Sequence, residues 1–169
     1  VVNLYSSWYS MITVVSTLAL TSGGFSIALR EFEKERDQYV SSVLSLTSIV
    51  AIGLALLYLV APSFWNNITG LPTHLMILLL IGLLVAPARD FWLSRQRFEY
   101  RYKLSGAVTV VSAVAASGLA VAAVLYANSI DFSDIASVRL FANYSIVYGV
   151  AAVIWFSIFL KGKCFYSSK

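Results

Sequence analysis

Residues 104–126 read LSGAVTVVSAVAASGLAVAAVLY and carry no charge. Wound as a helix at about 1.5 Å per residue, a run of that length crosses the roughly 30 Å hydrocarbon core of a bilayer. Four further stretches repeat the pattern, at residues 8–29, 42–61, 71–88 and 140–160. In hydrocarbon each backbone N–H and C=O must be satisfied within its own segment, which selects helices for runs of this length. The reading is an all-α fold, a polytopic membrane helical bundle of about five transmembrane helices forming one domain over residues 1–169.

Composition agrees. The chain is 59% hydrophobic and 12% charged, against about 45–50% and 25% in ordinary soluble domains. A soluble enzyme, a nucleic-acid binder and a disordered tail are excluded on that ground. Cys164 is the single cysteine, so no internal disulfide forms, and no Cys/His spacing resembles a metal site. No cofactor is expected, nor is a catalytic residue. The loops hold no nucleophile with its base and no phosphate-cradling glycine loop.

The connections set the topology. Residues 30–40 (REFEKERDQYV) hold three basic and four acidic side chains and must be aqueous. Residues 62–70 (PSFWNNITG) are uncharged turn formers, and residues 89–103 carry five basic groups. Lys and Arg number 3, 0, 5, 1 and 3 along the successive connections and tail, which accounts for all 12. The positive-inside rule places the first and third loops and the C-terminus in the cytoplasm, with the N-terminus outside. Aromatics such as Tyr5, Trp8, Tyr9, Trp65 and Tyr126 fall where outer interfacial anchors belong, and Phe91, Trp92 and Tyr102 at the inner ends.

Within the spans, Ser6, Ser10, Thr13 and Thr17 recur at helical spacing and make a hydroxyl stripe. The stripe suits either a wet substrate groove or close helix packing with hydroxyls bonding across the interface. Gly23 and Gly24 follow, a pairing that often marks a bend, and Arg30 stands near the inner mouth. As a structural residue Arg30 snorkels to the headgroups; as a functional one its guanidinium meets an anionic phosphate. Residues 104–126 present Gly106, Ala113, Ser117 and Ala120 as a bare face that wants another helix, whereas the Leu/Ile-rich second and third spans read as lipid-exposed. Asn3, His74 and Asn143 lie near outer ends and are assigned no role. The start at Val1 and the stop just after an apolar span read as a piece of something longer.

Four segments carry a family resemblance: SGGFSIALREFEKERDQYVSSVLSL (22–46), FWLSRQRFEYRYKL (91–104), VRLFANYSIVYG (138–149) and KGKCF (161–165). Together the chain resembles the N-terminal half of bacterial polysaccharide-biosynthesis membrane proteins. These are the O-antigen and exopolysaccharide flippases of the multidrug/oligosaccharidyl-lipid/polysaccharide exporter superfamily. The resemblance implies a two-bundle transporter of a dozen or more helices in the bacterial inner membrane, of which this chain supplies the second to sixth. Its partners are then the missing first helix, the second bundle and membrane lipids. Its substrate is an undecaprenyl-diphosphate-linked oligosaccharide, moved between leaflets by alternating access without making or breaking a bond. Arg30 and Arg139 match basic positions of the family, which implies contact with the diphosphate, beside the stripe of Ser10, Thr13 and Thr17. A multidrug-type exporter and a non-transporting membrane anchor or assembly subunit are the alternatives. The first favours acidic groups inside the helices, and the second makes the hydroxyl stripe dry packing.

Overall fold

The computed structural model describes residues 1–16, 24–31, 35–100, 102–130 and 132–162. Every regular element among them is an α-helix: α1 (Val2–Ser16), α2 (Gly24–Glu31), α3 (Arg36–Val60), α4 (Pro62–Thr69), α5 (Thr73–Phe98), α6 (Tyr102–Ser129) and α7 (Ile135–Gly162). Four of these, α3, α5, α6 and α7, are long and apolar enough to cross a membrane. The protein is therefore an all-α, multi-pass membrane bundle. The expected first span corresponds to α1 and α2; residues 17–23 between them, with Thr17 and Gly23, lie outside the described residues.

Local chemistry fixes the helix ends. Pro62 stands in the first turn of α4, where its missing N–H costs nothing. Gly70 closes that helix in the left-handed region at φ 66°, its N–H donating to the Asn66 carbonyl. The stretch expected as a plain turn is thus a short helix. Asp134 precedes α7 and its carboxylate accepts from the Ser137 N–H at 3.1 Å, an N-cap.

The basic stretch after residue 88, expected as a loop, is helical up to Phe98. It is amphipathic: Phe91, Leu93 and Gln96 are buried, and Arg95 pairs with Glu99 one turn on at 2.8 Å. A charge-free stretch marks where hydrocarbon begins, not where the helix stops. The same holds for α3, which starts at Arg36 inside the expected first loop.

α5 is the central helix, contacting α1, α2, α3, α6 and α7. Of its apolar window 56% is buried, against 33% for α3, 17% for α6 and 11% for α7, which overturns the reading of the third span as lipid-exposed. Leucine content does not sort helices in lipid, because lipid tails are as apolar as leucine; small residues such as Gly82, Ala86 and Ala88 let neighbours approach. Two apolar cores result. One gathers Tyr5, Leu71, Leu75, Leu79, Leu83 and Tyr148. The other gathers Phe25, Leu29, Val40, Leu44, Ala88 and Phe91. Tyr5 is fully buried in the first core and is no interfacial anchor.

The bare face of α6 is also displaced from expectation. The buried positions are Ser105, Ser112, Ala116, Ala120 and Ala127, and α6 packs chiefly on α7. Gly106, Ala113 and Ser117 are exposed. With Ala, Gly and Ser on both sides of the helix, the pattern shows that a helix packs there without saying on which side.

Candidate functional site

The helices give the bundle two ends of different character. At one end lie the C-termini of α2 and α5 and the N-termini of α3 and α6, with most of the charge. The other end holds the N-termini of α5 and α7 and the C-terminus of α6.

At the charged end, Arg30, Arg36, Arg97, Phe98, Tyr100 and Tyr102 line an open recess of about 650 Å³. Three elements bring the arginines together: Arg30 stands in the last turn of α2, Arg36 begins α3 and Arg97 stands in the last turn of α5. Arg36 is held in place, its Nε donating to the Leu29 carbonyl at 3.1 Å and its guanidinium lying 5.0 Å from the centroid of the Phe98 ring. Arg30 and Arg97 are exposed; Asp90, two turns back on α5, lies within electrostatic reach of Arg97 without touching it. Arg95, by contrast, is neutralised between Asp37 of α3 and Glu99. Tyr100 turns the chain from α5 into α6 at φ 58°, and its ring meets Tyr102 edge-on at 5.9 Å. The recess combines the guanidiniums of Arg30, Arg36 and Arg97 with an aromatic rim, which suits an anionic phosphate carrying a polar organic group.

Towards the other end, Tyr5, Tyr9, Tyr144 and Tyr148 cluster between α1 and α7, with ring centroids 5.2 to 6.5 Å apart. The Tyr5 and Tyr148 hydroxyls meet at 3.1 Å. At the tip, His74 Nε2 lies 2.8 Å from the Ser137 hydroxyl, which in turn donates to Asp134. The Ser137 proton is committed to Asp134, so His74 is the donor to Ser137. That is the reverse of a Ser–His–Asp triad, in which the imidazole takes the hydroxyl proton. His74, assigned no role from sequence, thus ties α5 to α7.

The candidate residues do not form one site. Arg30 lies in the recess, while Arg139 lies at the opposite end in a groove of about 440 Å³ that Ser6, Asn143 and Tyr144 also line. Ser10 is exposed and donates to the Ser6 carbonyl of its own helix at 2.9 Å. Thr13 is half-buried, and Thr17 falls outside the described residues. Arg36 and Arg97 are the functional candidates that sequence reasoning missed, because both were counted as topology signals. Their distinguishing signal is convergence from separate helices, which spacing along one chain does not report. No protein-family model, no curated protein and no solved structure matches the chain.

Proposed function

We propose that this chain is part of a flippase that moves an undecaprenyl-diphosphate-linked oligosaccharide across the bacterial inner membrane, with the charged end in the cytoplasm. The observation that carries the reading is the convergence of Arg30, Arg36 and Arg97 on one recess at the end of a membrane bundle. A diphosphate cannot enter hydrocarbon bare, and three guanidiniums converging beside an aromatic rim give it a first seat at the interface. Transfer then requires a second bundle rocking against this one, so that the path opens to each side in turn. No bond changes in this scheme, and no cofactor takes part.

The test uses the whole transporter in cells that display surface polysaccharide. Arg30→Gln combined with Arg97→Gln removes two of the three charges, and display should be lost at unchanged protein abundance. Arg30→Lys with Arg97→Lys keeps charge but loses the guanidinium fork and should be partly impaired. Normal display in the double Gln variant at normal abundance would refute the reading and favour a non-transporting anchor.

A further inference from the structure

The groove at the end opposite the arginine recess is built differently from it. It lies between α1, α6 and α7, with Val121, Val124 and Leu125 on one wall and Arg139, Asn143 and Ser6 among its polar positions. Arg139 stands one turn inside α7, four residues after its start at Ile135, which is about 6 Å along the axis. Leu125 is likewise one turn before the end of α6 at Ser129. Val121 and Ser117 follow at one and two turns further into the membrane, so the apolar wall descends from the level of the charge.

One turn inside the helix end, the exposed Arg139 guanidinium reaches the headgroup level, where it is poised to meet an anion. Among the described residues Arg139 has no acidic partner. The nearby acid in sequence, Asp134, is engaged by Ser137 and by His74 at 3.6 Å. With no acid against it among the described residues, the guanidinium is open to an anion, and the one present at headgroup depth in any bilayer is a lipid phosphate. Asn143 offers a donor for an ester carbonyl just below it, while the Ser6 hydroxyl is engaged with Tyr144. Charge, polar contacts and an apolar track therefore succeed one another in the order in which a lipid presents phosphate, glycerol esters and acyl chain.

We infer that this groove binds one membrane glycerophospholipid, its phosphate on Arg139 and an acyl chain along Val121 and Val124. The inference rests on the membrane-spanning bundle and is independent of the transport reading; its failure would leave the arginine recess untouched.

The full chain, purified in detergent and stripped of lipid, is titrated with phosphatidylglycerol and followed by native mass spectrometry. One lipid should bind per chain. Arg139→Gln should weaken binding roughly 10- to 100-fold, the range for loss of one charge-assisted contact, with Arg139→Lys between the two. Val121→Trp fills the groove while leaving the charge and should weaken binding comparably. It carries the test if Arg139→Gln fails to fold by gel filtration and circular dichroism. Equal affinity in wild type and Val121→Trp would overturn the proposal. So would competition by glycerophosphate at the same concentration as the lipid, which would mark a plain anion site. Displacement of phosphatidylglycerol by substoichiometric undecaprenyl phosphate would overturn it too, assigning the groove to the carrier lipid.

Discussion

Tyr148 of α7 lies across Gly82 of α5 so closely that a methyl group built on the glycine would sit 2.2 Å from the tyrosine oxygen and 2.5 Å from the carbon that bears it. Tyr5 of α1 then closes over the same oxygen at 3.1 Å. Three helices meet at this point. Between lipid-embedded helices there is little hydrophobic drive, and contact comes from close packing and hydrogen bonds. The absent side chain at Gly82 is what admits the tyrosine cluster into the first core.

Gly82→Ala should therefore destabilise the bundle by about 1 to 3 kcal/mol, as overpacking of a filled site does. Gly118→Ala provides the comparison, because nothing lies within 4 Å of a Cβ there. Thermal unfolding of both variants in the same detergent checks this. A Gly82→Ala protein as stable as Gly118→Ala would mean that the ring has room to move away.

The tyrosine hydroxyls make a second prediction. Tyr148→Phe leaves the Tyr5 hydroxyl without its partner, at a cost of roughly 0.6 to 2 kcal/mol for bonds of this kind between membrane helices, whereas Tyr5→Phe leaves Tyr148 within reach of the Tyr9 hydroxyl and should cost less. The double variant removes both polar groups and should recover part of the loss, since the penalty comes mainly from the orphaned group. A double-mutant cycle measures the coupling; strict additivity would show that the two hydroxyls do not depend on each other.

The sequence announces the spans because a charge in hydrocarbon is too costly to tolerate, so uncharged runs such as residues 104–126 stand out without any knowledge of packing. Which face of a helix is covered is not announced in the same way. Gly106 and Ser105 are equally small, yet Ser105 is buried and Gly106 open; in lipid both outcomes are compatible with the same composition. Tyr5 misleads for a related reason: an amphipathic ring suits the headgroup region, and it suits a buried hydrogen-bonded cluster as well. Arg30 was legible as a cation near a helix end. Its company with Arg36 and Arg97 was not, since α2, α3 and α5 are brought together by the fold alone.

Asp134 gives a prediction with a defined pH window. The Ser137 hydroxyl and backbone N–H hold its carboxyl below the usual carboxylate range. A carboxyl depressed in the folded state stabilises at pH values above its unfolded value, about 3.9, and that contribution disappears as pH falls through the folded value. Asp134→Ala should cost about 1 kcal/mol at pH 7 through loss of the helix cap, whereas Asp134→Asn keeps a good cap without the charge. The difference in melting temperature between wild type and Asp134→Asn should shrink below about pH 4. Because His74 lies 3.6 Å from this carboxylate and imidazoles change charge between pH 5 and 8, the comparison is made in a His74→Gln background, where a difference that varies between pH 6 and 8 would point to a group other than Asp134.

Orientation is the remaining prediction, and it rests on the asymmetry of basic residues between the two ends. Arg30, Arg36, Arg89, Arg95, Arg97, Lys103 and Lys161 all lie towards the end where α5 finishes and α6 begins, whereas Arg139 stands towards the other. The positive-inside rule places the first group in the cytoplasm. Asn67 on α4 and Tyr100 in the turn before α6 are both exposed, one at each end. In a Cys164→Ser background, Asn67→Cys should react with a membrane-impermeant maleimide added to intact cells. Tyr100→Cys should react only after the membrane is permeabilised. Reaction of both after permeabilisation shows that each thiol is accessible, so a silent Tyr100→Cys in intact cells reports sidedness and not burial. Labelling of Tyr100→Cys but not Asn67→Cys in intact cells would invert the bundle. The arginine recess would then face away from the cytoplasm, where a lipid-linked precursor is assembled, and the flippase reading would lose its entry site.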